Sequence, residues 1–382
     1  MDSKKVFTAG SLTDDIVVEI LSRVPYKSFC RFKCVSKAWL AFSSDPHYCQ
    51  KLPKIPTGLF HKGKDGSVVQ LLSLSPNDEG IDGALTFLPH HEHLEFVDCC
   101  NGLVLCKYKS SYTSPDICRF IVCNPATREW QTLPDTHSEL VGPEDSIYTT
   151  FLAFDPSWSA QFYVFNFEER FNNDSWLGGV KKLEVFSSDL SMWLVDAAWS
   201  SGIQVCKSHG FIGGVLYVNT YDHQTLVLEG LEAISSGIPP RHFTIKMPYD
   251  PMRPVNGCFG QLSGFLQYAF PEESGDTVAV FGLDADRPYK WSLKNRLHIR
   301  DAFGRDDLFY RVGFFRWLIY RVVALDLERE VLFLVDTHAE KLLSYNINTG
   351  KHSVIHSVIQ DDCLLGDSGY CYYVACYSKL PG

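Results

Sequence analysis

A unit of strand, turn and returning aromatic residue recurs along most of this chain and constrains its fold more than any other feature. Trp130 follows the turn-forming stretch "NPAT", and Trp193 follows "SSDLS", so each tryptophan falls on the second strand of a predicted hairpin. The markers of the unit, two of them weaker copies without Trp or His, are Phe87, Trp130, Trp193, Phe243, Trp291 and His352. Their spacings of 43, 63, 50, 48 and 61 residues predict a repeated antiparallel architecture.

Further hairpins are predicted between the markers. "LEFVDCCNGLVLCKY" turns at Asn101-Gly102, and two other apolar pairs of strands turn at Asp155-Pro156 and at residues 326–329. Two hairpins per unit is the content of a four-stranded blade, and six units predict a six-bladed β-propeller. The run "GYCYYVACYSKL" is expected to complete a blade that begins near residue 58. The irregular spacing leaves a β-sandwich or another number of blades open.

Residues 12–43 differ from the rest because they predict three short helices. Asp14 and Asp15 favour the first turn of a helix, and Thr13 is a predicted N-cap. Pro25 is expected to end this helix and to begin the next one. The second helix is predicted at about residues 27–34.

The first helix carries two apolar rows. Val17, Leu21 and Val24 form one row, and Ile16 and Ile20 form the other. A segment of about forty residues is too small to build a self-sufficient core. One row is therefore expected to pack within the helical segment and the other to bind another protein.

The charge of the chain is unevenly distributed. Residues 1–50 carry seven Lys/Arg and five Asp/Glu, a net +2, whereas the other 332 residues carry 28 and 40, a net −12. The acidic body disfavours nucleic acid as a partner. No run of 18 apolar residues predicts a membrane span, and the first residues lack the apolar core of a signal peptide. The chain is therefore expected in the cytoplasm or nucleus.

Neither a cofactor nor a metal is expected from the motifs. Thirteen cysteines lie singly in apolar runs, as core residues do in a reducing compartment. Two sets of possible ligands lack standard zinc spacing, namely Cys30, Cys34, His47 and Cys49 in the first and His90, His91, Glu92 and His93 in the second. "GQLSG" is not a nucleophile elbow, and neither a P-loop nor a dinucleotide fingerprint is found. These motifs predict a protein that is not an enzyme, with the copper oxidase chemistry of some kelch-like propellers as an alternative.

The stretch "LTDDIVVEILSRVPYKSFCRFKCVSKAWLAFSSDPHY" resembles the F-box of the large plant F-box family. An acidic helix start, "EILSRVP", a Lys-Ser pair, "RFKCVSKAW" and "SDP" occur in the family's order. The family usually has Leu-Pro at the start, whereas this chain has Leu12-Thr13. The resemblance implies binding to the Skp linker protein, and through it to the cullin and RING subunits of a ubiquitin ligase. The residues implied in that interface or its support are Leu12, Ile16, Ile20, Leu21, Pro25, Phe29, Phe32, Val35 and Trp39.

The body is similar to the F-box-associated repeat region of plant F-box proteins, on the stretches "DCCNGLVLC", "VCNPATREWQTLP", "LAFDPSWSAQFYVF" and "LEVFSSDLSMW". We therefore expect an α+β multidomain chain, with an F-box at residues 1–49, a linker at 50–57 and a kelch-like β-propeller domain at 58–382. The implied role is that of a substrate-recognition subunit for protein ubiquitination, and the alternative is a scaffold or regulator outside any ligase. Two long segments are candidate target-binding loops, residues 165–179 and the arginine-rich residues 293–317.

Overall fold

The computed structural model of the chain describes residues 13–42, 55, 57–62, 69–74, 81–109, 120–136, 146–172, 175–196, 199, 202–248, 257–284, 289–312, 315–339, 341–357 and 370–380. The chain divides into two compact units. One unit comprises Met1–Thr57 with Ser73–Ile81, and the other comprises Gly58–Leu72 with Asp82–Gly382.

The helical segment contains α1 (Asp14–Ser22), α2 (Tyr26–Val35) and α3 (Lys37–Phe42). Pro25 lies at the N-cap of α2 with a φ of −56°, so it separates α1 from α2 as its ring predicts. Val35 ends α2, because the next residue, Ser36, is extended. Thr13 occupies the N-cap position of α1, but its side chain makes no capping hydrogen bond, so the predicted cap is wrong in that respect.

The β domain consists of short antiparallel strands in chain order. Strands β1 (Thr57–Lys62) and β2 (Val69–Ser73) begin blade 1. Blade 2 contains β3 (Leu94–Cys100), β4 (Leu103–Tyr108), β5 (Phe120–Asn124) and β6 (Glu129–Leu133). Blade 3 contains β7 (Ser146–Phe154), β8 (Phe162–Asn172), β9 (Ser175–Ser187) and β10 (Met192–Asp196). Blade 4 contains β11 (Val205–Ile212), β12 (Val215–Thr220), β13 (Gln224–Glu229) and β14 (Arg241–Lys246).

The remaining strands complete the domain. Blade 5 contains β15 (Cys258–Leu262), β16 (Phe265–Pro271), β17 (Thr277–Leu283) and β18 (Trp291–His298). The short helix α4 (Arg300–Phe303) and a separate hairpin of β19 (Phe309–Val312) and β20 (Phe315–Leu318) follow. Blade 6 contains β21 (Tyr320–Asp326), β22 (Val331–Asp336), β23 (Lys341–Asn346) and β24 (His352–Ser357). Strand β25 (Tyr370–Val374) then pairs with β1, so that blade 1 has the order β2-β1-β25.

The innermost strands of the six blades form a closed ring. Strands β25, β3, β7, β11, β15 and β21 contact one another in that order, and β21 contacts β25 again. This arrangement is a six-bladed β-propeller, as the sequence predicted, and β25 completes the blade that begins near residue 58. Each innermost strand keeps one edge, and the ring gathers these short edges at its centre, where the neighbouring blades protect them.

The predicted turn at Asn101-Gly102 joins β3 to β4. Both residues have positive φ values, 45° and 92°, as a two-residue hairpin turn between twisted strands requires. A Cβ atom on Gly102 would lie 2.5 Å from the backbone nitrogen of Cys376, so the close approach of the segment after β25 also favours glycine here.

Most of the aromatic markers occupy equivalent positions in the blades. Trp130, Trp193, Phe243, Trp291 and His352 all lie on the outermost strand of their blades, opposite residues of the third strand. The marker at Phe87 is wrong, because residues 81–90 form consecutive turns before β3. These turns are stabilised by the Asp82 carboxylate, which accepts a hydrogen bond from the backbone nitrogen of Thr86 at 2.9 Å.

The core lies between adjacent blades. Every residue of β5 is buried, because the strand lies inside its blade and both of its faces are covered. Cys106 and Cys123 are fully buried on β4 and β5, and burial raises the pKa of the Cys106 thiol to about 12. The cysteines that the structure describes are free thiols. Cys106 is therefore protonated at neutral pH, and the buried cysteines serve as small apolar residues.

Candidate functional site

Helix α1 divides its apolar residues between a buried face and an exposed face. Val18 and Leu21 are only 2% and 1% exposed, whereas Ile16 and Ile20 are 48% and 51% exposed. Ile16 and Ile20 are four residues apart and therefore lie on the same side of the helix. The exposed isoleucines form a separate apolar row, as the sequence pattern predicted.

The buried face of α1 packs into a small cluster with α2 and α3. Leu21 and Phe29 are buried in it together with Val18, and Phe32 and Trp39 pack against it as half-buried residues. The rings of Phe32 and Trp39 meet edge to face, with their centroids 5.6 Å apart. These side chains hold the three helices together.

Other apolar side chains of the helical segment are open to solvent. Val35 is 76% exposed at the end of α2, and Leu40 is 50% exposed on α3. Pro25 is also exposed between α1 and α2, and Leu12 lies outside the described residues. Leu40 was not among the residues that the sequence implied for the interface.

The candidate metal ligands have other interactions. The Cys34 thiol donates a hydrogen bond to the backbone oxygen of Cys30 one turn earlier on α2, at 3.4 Å. His47 and Cys49 lie outside the described residues. Nδ1 of His91 lies 3.3 Å from a carboxylate oxygen of Glu92. Within the described ranges, three or more His, Cys, Asp or Glu side chains nowhere come together as possible metal ligands.

The first candidate target-binding loop is largely strand. Residues 165–172 belong to β8 and residues 175–179 to β9, with 173–174 outside the described residues, so the prediction of a long loop there is wrong. The charged residues Glu168 and Glu169 favoured the prediction of an exposed loop. Both are buried next to an irregularity in the β8–β9 register. Burial raises the pKa of Glu169 to about 7, although its Oε1 accepts a hydrogen bond from the backbone nitrogen of Val205 at 3.2 Å.

The second candidate, residues 293–317, covers most of β18, helix α4 and the β19–β20 hairpin. Successive strands of a blade are antiparallel, so the end of β8, the start of β9 and the connection from blade 5 to blade 6 all lie at the face where the innermost strands begin. We call this the entry face. Three arginines of the segment form ion pairs with neighbouring acidic residues, namely Arg296 with Glu272 at 2.7 Å, Arg300 with Asp276 at 2.9 Å and Arg305 with Asp336 at 2.5 Å.

A buried ionic network joins the innermost strands of blades 1 to 4. Asp98 on β3 accepts hydrogen bonds from the backbone nitrogen of Leu152 on β7, at 2.7 Å, and from the thiol of Cys371 on β25, at 3.5 Å. Its Oδ2 also lies 3.1 Å from Nε2 of His209 on β11. Asp98 and His209 are 111 positions apart in the sequence, so no local pattern could have indicated their contact.

His209 lies between two acceptors in this network. Burial alone would lower the pKa of His209, but the Asp98 carboxylate and backbone acceptors raise it above its ordinary value. Its Nδ1 lies 3.3 Å from the backbone oxygen of Lys207, so both ring nitrogens have acceptors. This arrangement favours the charged form of the side chain, which is placed to pair with the Asp98 carboxylate and to stabilise the ring of blades.

Comparison with known proteins identifies the helical segment. Residues 10–51 match the family model of the F-box domain, so the chain carries an F-box followed by a six-bladed β-propeller. An F-box protein of Arabidopsis thaliana is 29% identical over 204 residues, which cover 49% of this chain and 47% of the relative. An Arabidopsis protein named for an F-box and kelch repeats is 33% identical over 137 residues, or 32% of either chain. The matches thus span about half or less of the length of these curated relatives.

Among solved structures, a chain of a nidogen–laminin complex is similar, with a TM-score of 0.41 and 12% sequence identity over 84% of this chain and 98% of that one. In the described part of the chain, no helix has both the length and the apolar character needed to cross a membrane.

Proposed function

We propose that this chain is the substrate-recognition subunit of a Skp–cullin–F-box ubiquitin ligase. In this role the F-box binds the Skp linker protein, and the propeller binds a target protein. Binding to the linker connects the chain to the cullin and RING subunits. The observation that carries the proposal is the exposed Ile16–Ile20 row on α1, within a segment that matches the F-box domain.

The exposed apolar side chains give the binding its physical basis. Complete burial of an isoleucine contributes roughly 1.5–3 kcal/mol, and Ile16 and Ile20 are already about half buried, so each can add about half of that on binding. Val35 and Leu40 are further exposed apolar groups for the same partner. Leu12 and Pro25 remain proposed contacts on the resemblance to the family.

The buried members of the proposed site have a supporting role. Leu21 and Phe29 fix the positions of α1 and α2, and Phe32 and Trp39 connect α2 to α3. Their replacement is expected to affect linker binding through the fold of the helical segment.

The proposed contribution to ubiquitination is proximity and not chemistry. A target held by the propeller stays close to a ubiquitin-loaded enzyme, and this replaces a slow bimolecular encounter with a local one. The proposal divides the chain into an F-box at residues 1–49, a linker at 50–57 and a target-binding domain at 58–382. It also places the protein in the cytoplasm or nucleus.

Replacing Ile20 tests the proposal directly. We expect Ile20→Asp to abolish co-purification with the Skp linker, because the new carboxylate would be desolvated in an apolar contact without a partner. The helices should stay folded, because the side chain at position 20 already faces solvent. Circular dichroism checks the fold, and a pull-down with purified linker measures the binding.

Two further variants serve as controls. Ile20→Val keeps an apolar side chain and should retain binding, whereas Leu21→Asp should lose binding together with helical structure, because position 21 is buried. A folded Ile20→Asp protein that binds the linker as tightly as the wild type would contradict the assignment. Linker binding without any recruitment of cullin would favour a scaffold outside the ligase.

A further inference from the structure

The β19–β20 hairpin lies outside the four-stranded blades, in the connection between blades 5 and 6. Its base is fixed by packing, because Phe309 and Leu318 lie so close to Gly275 that a Cβ atom there would come within 2.6 and 2.8 Å of them. Tyr310 also packs on the core cluster between the two blades. An isolated two-stranded hairpin is only marginally stable, so this anchoring is what holds it at the entry face.

Two arginines lie directly opposite each other near the tip of this hairpin. Arg311 on β19 and Arg316 on β20 are register partners, so their side chains leave the same face of the hairpin. Like charges at such positions destabilise a strand pair. In the described part of the chain, Arg311 forms no ion pair, and Arg316 has only Asp307 at 3.8 Å, with side chains that are 58% and 76% exposed.

This pair contrasts with the other arginines of the same segment. Arg296, Arg300 and Arg305 have carboxylate oxygens within 2.5–2.9 Å. The fold thus neutralises three of five arginines and leaves two together at an exposed position. Residues 293–317 carry six Lys/Arg against three Asp, a net +3, in a body whose net charge is −12.

Arg316 is also held in position. Its guanidinium carbon lies 3.7 Å from the centroid of the Phe309 ring, and Phe309 is part of the anchored base. Stacking on an aromatic face fixes the guanidinium plane and leaves its N–H donors free at the edge. A fixed guanidinium beside a second one suits the bidentate binding of carboxylates.

We propose that Arg311 and Arg316 form a binding site for a carboxylate-rich segment of the target protein. This inference rests on the proposed function, because it assigns part of the target-binding surface of the same propeller. Acidic side chains would relieve the repulsion between the two arginines, which in the described part of the free protein is offset only by the exposed Asp307 at 3.8 Å from Arg316. A protein partner is favoured over nucleic acid, because two arginines make too few phosphate contacts to hold a nucleic acid, whereas they suffice to pair with the carboxylates of a short acidic segment.

A defined acidic peptide tests the site. The probe is a fluorescein-labelled peptide of about twelve residues with alternating Glu and Gly, measured by fluorescence anisotropy with the full chain at about 50 mM salt, where charge pairs are weakly screened. We expect the wild type to bind it and to ignore the matching Gln–Gly peptide. The double variant Arg311→Gln/Arg316→Gln should bind at least about tenfold more weakly, as expected for the loss of charge-assisted hydrogen bonds.

The control removes the same charge elsewhere. Arg241→Gln/Lys246→Gln on β14 also takes away two positive charges and should change the affinity by less than about twofold, because only the local pair is assigned to the peptide. The Arg311/Arg316 variant should melt at or above the wild-type temperature, because a like-charge pair has been removed. A lower melting temperature together with weaker binding would mean that the arginines act through the fold and would overturn the site.

Other outcomes would overturn the proposal in separate ways. Equal loss in both double variants would show a general charge effect, and the absence of wild-type binding would show that no carboxylate site exists. Tighter binding of a single-stranded DNA oligonucleotide of the same charge would assign the site to nucleic acid. Binding of a phosphoserine peptide alone would assign it to phosphate. The same proteins are also tested for binding to the Skp linker. Only a loss of linker binding would contradict the proposed ligase role, so a failure of the arginine site can be told apart from a failure of the proposed function.

Discussion

At the scale of single residues, the side chain of Asp98 connects blade 2 to three other blades. It receives hydrogen bonds from β7 and β25 and an ion pair from His209 on β11. β-bulges lie next to Asp98 on β3 and next to His209 on β11, and a bulge redirects the side chains around it. The two irregularities explain how side chains of blades 2 and 4 meet.

The raised pKa of His209 predicts how this pair depends on pH. The stabilisation is complete below the unfolded-state pKa of about 6.5 and is lost as the pH rises through the higher folded-state pKa. We expect His209→Gln to cost about 3 kcal/mol at pH 6 and progressively less towards pH 9, as measured by urea unfolding. The exposed His352→Gln is the control, and a cost that stays constant with pH would contradict a charged His209.

The raised pKa of Glu169 predicts that ionisation of this side chain destabilises the fold. Its folded-state pKa of about 7 lies above the unfolded value of about 4.3, so ionisation destabilises the fold as the pH rises through this window. Glu169→Gln keeps an acceptor for the Val205 nitrogen without a charge. We expect it to leave stability nearly unchanged at pH 4 and to increase it by about 2 kcal/mol at pH 8 in urea unfolding. Glu184→Gln, which removes the partner of Lys182 at 3.1 Å, should be destabilising instead.

At the scale of elements, β25 is the strand that closes the ring. Its Tyr373 is fully buried and meets Phe60 of β1 edge to face, with 5.1 Å between the ring centroids. The Tyr372 hydroxyl donates to Asp326 in blade 6, and the Cys371 thiol donates to the Cys99 backbone oxygen in blade 2 at 3.1 Å. The strand is thus bonded to both neighbouring blades.

Removing residues 370–382 should therefore destabilise the whole propeller. The truncation exposes strand edges on blade 1 and removes the bonds of the following segment, in which the Asn124 side chain donates to the backbone oxygens of Cys376 and Ser378 at 2.9 and 3.0 Å. We expect a single cooperative transition at a clearly lower temperature in differential scanning calorimetry. A truncated chain that melts at the wild-type temperature would contradict closure by β25.

Much of this architecture could be predicted from local patterns. The Asn101-Gly102 turn, the outer-strand markers and the return of the last strand to blade 1 all follow from turn chemistry and from the need to remove edges. The marker at Phe87 is wrong because the Asp82 carboxylate stabilises consecutive turns around Phe87. The spacing of aromatic residues along the sequence cannot reveal such a hydrogen bond.

Contacts between distant residues could not be predicted in this way. Glu168 and Glu169 favoured the prediction of a loop, because charged residues are rarely buried. The surrounding fold nevertheless buries both side chains in β8. The exposed row of α1 was predicted by its spacing, whereas Leu40 was missed because α3 is too short for a clear periodicity. Whether these exposed residues bind the linker stays a prediction.

At the scale of the whole molecule, the proposed function assigns different tasks to different parts of the chain. The apolar row for the linker lies within residues 13–42, and the basic hairpin proposed for the target lies in the propeller. If the tasks are separable, damage to one part should leave the other active. Ile20→Asp should thus retain binding of the acidic peptide, and Arg311→Gln/Arg316→Gln should retain binding of the linker, as measured with the same two assays.

The most direct test of the proposed role as a substrate-recognition subunit is complex formation with purified components. The full chain and a chain that lacks residues 1–56 are each mixed with a plant Skp linker and analysed by size-exclusion chromatography with light scattering. We expect a one-to-one complex for the full chain, which also recruits cullin, and no complex for the shortened chain. A full chain that stays apart from the linker, or a shortened chain that binds it, would contradict this role.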